Sequence, residues 1–248
     1  MGKNGAGKTT LIRTLNGLIR PSSGDVYINS ENINSKSIAE LSRFVGLIFQ
    51  NPFHQLFANT VEEEIQFSLK NLFLNKDELQ TKTNEILSNF NLDKYRDRSP
   101  LNISGGESKK LAIASIICRD PEILVFDEPT LGQDAQEIES FIKLISSEKE
   151  KGKTILIITH NVEFAYEYIP RTILMGNGEI IADGPTQNVL NNDFLTEKSS
   201  LILPQTQQLS LALQEIGLQG IRKNISKNDI IRYLINLLKN KTISAQEE

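Results

Sequence analysis

Residues Gly2 to Thr9, Gly-Lys-Asn-Gly-Ala-Gly-Lys-Thr, fill every position of the pattern G-x-x-x-x-G-K-[ST]. No other stretch restricts the possible folds of this chain so tightly. Gly2, Gly5 and Gly7 let backbone N–H groups turn inward around an anion without a side chain in the way. A helix has to follow at once, because its unpaired N–H groups and positive dipole end face the same anion. The chain supplies one: Leu11, Ile12, Leu15, Leu18 and Ile19 form an apolar stripe on a helix predicted from about Lys8 to the turn at Pro21-Ser22-Ser23-Gly24. Loops of this type follow a buried strand, yet only Met1 precedes Gly2, so the expectation is a fold whose first strands are missing from this sequence.

The expected ligand set is ATP with Mg²⁺. Asn4, Gly5, Ala6, Gly7 and Thr10 line the loop with Gly2, Lys8 neutralises the β and γ phosphates, and the Thr9 hydroxyl ligates the ion.

The rest of the chain alternates. Val26–Ile28 and Phe44–Phe49 read as strands, the second buried. From about Thr60 to Arg119 the pattern is helical, with helices predicted over Asp77–Phe90 and Gly106–Arg119. Strands at Ile123–Phe126 and Thr154–Ile158 then alternate with helices at about Asp134–Glu150 and Val162–Tyr168, which implies parallel strands covered by helices. A hairpin follows, Thr172–Met175 and Glu179–Ala182, turned by Gly176-Asn177-Gly178. After about Gly184 the composition moves towards Gln, Asn and Ser. Helices are predicted over Gln207–Ile216 and from a Ser226/Asp229 capping pair to about Lys239. The last carries the stripe Ile230, Ile231, Leu234, Leu237, Leu238, which suits core packing or a partner surface. The domain reading is therefore α/β: an ATPase domain over 1–184, a helical subdomain inserted at about 60–120, and a helical extension over 185–248.

Twenty-seven basic residues against 31 acidic ones give a net charge of −4, which argues against nucleic acid as the main partner. The single cysteine, Cys118, follows Ile116-Ile117 and reads as a small buried hydrophobe. No apolar run approaches the ~20 residues of a membrane helix. Met1-Gly2 does not extend into a myristoylation signal, because Ala6 stands where Ser or Thr is wanted.

Two apolar strands end in chemistry. Ile123-Leu124-Val125-Phe126 runs into Asp127-Glu128-Pro129, and ligands of open α/β sheets sit at such carboxyl ends. Asp127 there can hold Mg²⁺ and Glu128 can polarise an attacking water. Ile155-Leu156-Ile157-Ile158 ends in Thr159-His160, where the histidine suits a γ-phosphate contact. His54, in a loop, carries no comparable argument.

Leu101-Asn102-Ile103-Ser104-Gly105-Gly106-Glu107 resembles the signature sequence L-S-G-G-Q of ABC ATPases. Ser104 and the N–H groups of Gly105 and Gly106 at a helix start make a second anion site. In that family the site closes over ATP held by the phosphate loop of a second subunit, so the resemblance implies a partner ATPase, identical or related. It also implies that Gln50 is the Q-loop glutamine that contacts Mg²⁺, that Leu131-Gly132-Gln133-Asp134 is the D-loop, and that His160 is the switch histidine. Glu107 stands where Gln is commoner, and Gln133 where Leu is commoner. Phe49-Gln50-Asn51-Pro52-Phe53-His54-Gln55-Leu56-Phe57, followed by Thr60-Val61-Glu62-Glu63-Glu64, resembles more narrowly the ATPases of energy-coupling factor (ECF) and cobalt or nickel transporters. That resemblance implies a motor on the cytoplasmic face of the membrane, beneath an integral membrane subunit, with a separate membrane protein that binds a vitamin or metal ion. Its rivals are a soluble ABC ATPase unconnected with transport and an inactive or truncated subunit.

Overall fold

The computed structural model describes residues 1–72, 74–199, 201–217 and 229–236. It divides into two compact units, Thr9–Ile158 and a second made of Met1–Lys8 with Thr159–Glu248.

The first helix, α1 (Lys8–Leu15), is shorter than its apolar stripe suggests. Gly17 takes a left-handed φ of 73° and its N–H donates to the Thr14 carbonyl at 3.3 Å, which turns the chain out of the helix. Leu18 therefore falls beyond α1, and both Leu11 and Leu18 are 45% exposed while Ile12 is buried. The first strand is also trimmed: β1 (Tyr27–Ile28) pairs with β2 (Glu31–Asn32) as a minimal antiparallel hairpin. A helix that the sequence reading passed over, α2 (Ile38–Phe44), is started by a capping box between Ser37 and Glu40. It claims Phe44, so the next strand, β3, covers only Val45–Ile48.

The helical stretch comprises α3 (Val61–Leu69), α4 (Lys76–Asn89) and α5 (Gly105–Ile117). Then come β4 (Ile123–Asp127), α6 (Ala135–Glu150) and β5 (Thr154–Ile158). The sheet order is β3-β4-β5, all parallel, with Val45 opposite Ile123 and Ile123 opposite Thr154. The central strand is apolar on both faces because both are covered: Leu124, Val125 and Phe126 are fully buried. Phe126 meets Phe141 of α6 edge to face at 5.0 Å. Burial of a side chain of this size stabilises by about 2–3 kcal/mol. Val61, Ile65, Leu87, Leu92 and Leu111 make a separate apolar core among α3, α4 and α5.

A buried ionic cluster closes the turn from α6 to β5. Lys153, 7% exposed, lies 2.6 Å from both Glu148 and Asp120, and Glu148 is 2% exposed. Burial alone would raise the Glu148 pKa, but hydrogen bonds and charge from Lys151 and Lys153 outweigh it and hold the carboxyl below its ordinary value. Burial would lower Lys153, and Asp120 and Glu148 together hold it above its ordinary value.

In the smaller unit, α7 (Val162–Tyr168) leads to the hairpin β6 (Arg171–Gly176) and β7 (Glu179–Pro185). Asn177 and Gly178 turn it, with φ of 52° and 84°. Three helices follow, α8 (Thr186–Leu190), α9 (Asp193–Lys198) and α10 (Gln205–Glu215). Val189 and Leu190 of α8 share one core with Ala165 and Leu174. Residues on either side of Gly184 are thus packed together, and the compact units do not divide there. Met1 takes a ladder position beside β6: its ammonium donates to the Ile173 carbonyl at 2.6 Å, and its carbonyl accepts from the Met175 N–H at 2.8 Å. A last helix occupies 229–236; the expected Ser226 cap, and Leu237 and Leu238 of the stripe, lie outside the described residues.

Candidate functional site

The phosphate loop has the backbone its sequence demands. Gly2, Gly5 and Gly7 have φ of 139°, 82° and 93°. At Gly2 no other residue fits, because a Cβ there would stand 2.1 Å from the Met175 carbonyl oxygen. Ala6 is buried, and its carbonyl accepts from the Gly178 N–H at 3.3 Å. Lys8 is 9% exposed, and its ammonium donates to the carbonyls of Gly2 and Lys3 at 2.7 and 3.0 Å. The cation is thereby held against the backbone of its own loop. Asn4, Gly5 and Thr10 are exposed along the same segment.

Within the larger unit, the hydroxyl of Thr9 donates to the Asp127 carboxylate at 3.2 Å across 118 residues of sequence. Two hard oxygens are brought together there, the kind of donor that Mg²⁺ takes. Among the described residues there is no group of three or more His, Cys, Asp or Glu that could hold a metal ion. The donor set of Thr9 and Asp127 thus fits Mg²⁺ bound with a nucleotide.

Glu128 follows Asp127 with a left-handed φ of 50°, unusual for a residue with a side chain. Such a conformation costs on the order of 1 kcal/mol or more and persists only where the surroundings enforce it. Here they do. The Glu128 N–H donates to the Ile158 carbonyl at 2.9 Å, and its carbonyl accepts from the Leu131 N–H at 3.3 Å. The side chain is 7% exposed and Asp127 9%, so both carboxylates sit largely out of water at the end of β4.

The remaining expected residues are placed differently. Gln50 is exposed, two residues past β3, and His160 is exposed, two residues past β5. Ser104 is the N-cap of α5 and its hydroxyl accepts from the Glu107 N–H at 3.3 Å. The helix begins at Gly105, one residue before the expected start. Ser104 and Gly105 are exposed, while Gly106 and Glu107 are half-buried. This helix start is thus open to solvent at Ser104 and Gly105.

Sequence reasoning missed two residues that hold this framework. Glu64, 2% exposed, accepts from the backbone N–H groups of Phe57 and Ala58, both at 2.9 Å. Gln55 donates to the Ala112 carbonyl at 2.6 Å and to the Ser115 hydroxyl at 3.1 Å, which ties the segment after Gln50 to α5. The signal for Glu64 was present: it lies at helical spacing with Val61 and Ile65, on the apolar face of α3.

The profile of the ABC transporter family matches residues 1–131. A putative ABC transporter ATP-binding protein of Methanosarcina mazei is 41% identical over 88% of this chain, which spans only 37% of that protein's length. A second relative, the energy-coupling factor transporter ATP-binding protein EcfA of Methanothermobacter thermautotrophicus, is 35% identical over 96% of this chain and 77% of its own. The solved structure of CbiO1 from Clostridium perfringens, described as part of the ABC transporter complex CbiONQ, superposes with a TM-score of 0.69 at 30% identity, over 88% of this chain and 84% of that one. The chain belongs to the ABC transporter ATP-binding family.

Proposed function

We propose that this chain is the ATP-hydrolysing motor subunit of an ABC importer of the energy-coupling factor type, coupling hydrolysis to uptake of a vitamin or metal ion. The observation that carries the reading is the Thr9–Asp127 hydrogen bond at 3.2 Å, with the buried, conformationally constrained Glu128 next in sequence. The N–H groups of Gly5 to Thr10 receive the phosphates, and Lys8 exchanges its loop carbonyls for phosphate oxygens. Thr9, Asp127 and Gln50 would hold a magnesium ion, which would neutralise charge on the nucleotide's phosphates. Glu128 orients a water for in-line attack, and His160 stabilises charge on the γ-phosphate.

The outward-facing Ser104–Glu107 site serves the nucleotide of a second ATP-binding subunit, a copy of this chain or a related one, and the partner's signature serves the nucleotide held here. ATP thus closes the pair and product release reopens it. The integral membrane subunit docks on the helices inserted at about 60–120 and on the segment before them. Phe53, Phe57 and Phe67 support that placement, being 46%, 65% and 53% exposed. Phe57 and Phe67 stack edge to face at 4.7 Å, held by the Glu64 contacts. A separate membrane protein captures the substrate, and the motor works at the cytoplasmic face. No helix among the described residues is long and apolar enough to cross a membrane.

Glu128→Gln tests the assignment. It is expected to bind MgATP normally and to turn over at least about 100-fold more slowly. Turnover near the wild-type rate would sink the reading.

A further inference from the structure

The helix that starts at the signature and the loop that leads into α6 meet at two points inside the larger unit. One turn into α5, the Lys109 ammonium donates to the Leu131 carbonyl at 3.1 Å. At the other end of that loop, Asp134 and Glu137 cap α6 reciprocally, at 2.9 and 3.1 Å. The Glu137 carboxylate also crowds α5: a Cβ on Gly106 would come within 2.6 Å of its Oε1. One turn of α5, Gly106 to Lys109, therefore bonds Leu131 at one end of the segment 131–134 and lies against Glu137, which caps Asp134 at the other.

Burial does little to fix that segment. Leu131 is 50% exposed, Gly132 is exposed with a φ of 71°, and the Leu131 and Gln133 N–H groups make long bonds of 3.3 Å to the Glu128 and Thr130 carbonyls. A segment with so few apolar contacts is held by its polar ones. Lys109 is half-buried. Burial lowers its pKa, and the charge of Glu137 opposes that effect. Ordering so long a side chain costs rotamer freedom. The carbonyl bond and the nearby carboxylate offset that cost.

The connection runs further. Lys109 bonds the Leu131 carbonyl, and the Leu131 N–H bonds the Glu128 carbonyl. We propose that Lys109 is a positioning residue that straps the signature helix to the loop behind Glu128, so that a phosphate seated at Ser104–Glu107 fixes the orientation of Glu128 in the same subunit. The proposal rests on the ATPase reading above.

Lys109→Met and Lys109→Arg in the full chain test it, with amide hydrogen exchange at residues 131–133 and turnover measured against ATP concentration. Lys109→Met is expected to speed exchange at these amides by about fivefold or more. It is expected to lower kcat by about fivefold while the KM for ATP stays within about twofold. Arginine reaches the same carbonyl and is expected to restore both. Unchanged exchange, an unchanged kcat, or a loss that arginine does not restore overturns the proposal. Glu128→Gln is run alongside. If that variant turns over like wild type, or wild type does not turn over, the ATPase reading has failed, and the exchange rates alone decide whether the strap exists.

Discussion

The end of β4 and the start of α5 carry two candidate sites of the larger unit, and they are built in opposite ways. Asp127 and Glu128 are 9% and 7% exposed, one bonded to Thr9 and the other held in a left-handed conformation. Ser104 and Gly105 stand in solvent, with Leu101 70% exposed beside them. A buried carboxylate pair has its surroundings already arranged, and that arrangement carries the chemistry. An exposed helix start offers N–H groups to something that arrives from outside. The contrast supports a division of labour in which the chain completes its acids internally and leaves its signature for a second subunit.

Substitutions on the two sides should separate along that line. The largest effect is expected for Glu128→Gln, a fall in kcat of about 100- to 10,000-fold with MgATP affinity kept, read by steady-state turnover and nucleotide titration. Next comes Ser104→Arg, which places a long side chain on the exposed site. Nucleotide binding by the isolated subunit should stay within about threefold while turnover falls about 100-fold, because only the assembled pair uses this surface. A comparable loss of binding would erase the distinction between the two places. Thr9→Val removes the hydroxyl beside Asp127 and should weaken the apparent Mg²⁺ affinity of turnover by about 10-fold, seen as a shift of the Mg²⁺ titration.

The smallest effect on turnover is expected where burial of an acid serves no chemistry. Glu148 is 2% exposed and pairs with Lys151 and Lys153 at the turn from α6 to β5. Lys153→Met should cost about 1.5–3 kcal/mol of stability and leave kcat unchanged, because it leaves the buried Glu148 carboxylate to Lys151 alone of its two cationic partners. The pH dependence follows from the two shifts. Glu148 has its pKa lowered from 4.5, so its contribution is complete above that value and is lost as pH falls through the lower folded pKa. Lys153 has its pKa raised from 10.5, so its contribution is complete below that value and is lost as pH rises through the higher folded pKa. The cluster is thus at full strength between these limits. Thermal unfolding of Lys153→Met should lose the alkaline arm attributable to Lys153, and an unaltered arm would show that the pair adds no net stability.

Much of this molecule was legible in its sequence, for identifiable reasons. The strands β4 and β5 are continuous apolar runs that end in polar residues, so both their positions and the placement of Asp127, Glu128 and His160 at their ends followed directly. The phosphate loop was legible because its glycines are required by backbone geometry rather than by distant contacts. Other features depended on a local detail outweighing a pattern. The stripe through Leu18 and Ile19 suggested a longer α1, and a single left-handed glycine at Gly17 ended it. The capping box at Ser37 and Glu40 marks α2, but the apolar run from Phe44 to Phe49 fits a strand that begins at Phe44, the last residue of that helix. The roles of Gln55 and Lys109 were not legible, because each rests on a partner from 22 to 60 residues away that only folding brings near.

The most direct test of the divided site is a mixing experiment. Lys8→Ala disables the phosphate loop of one chain and Ser104→Arg the signature of another, and each alone should be nearly silent. In a mixed pair one composite site carries both defects and the other carries none. Equal amounts, allowed to exchange subunits, should therefore regain about a quarter of the wild-type rate, since half the pairs are mixed and each has one of two sites intact. A mixture that stays at the sum of the two silent variants, while the wild-type chain turns over, would contradict the division of the site between subunits.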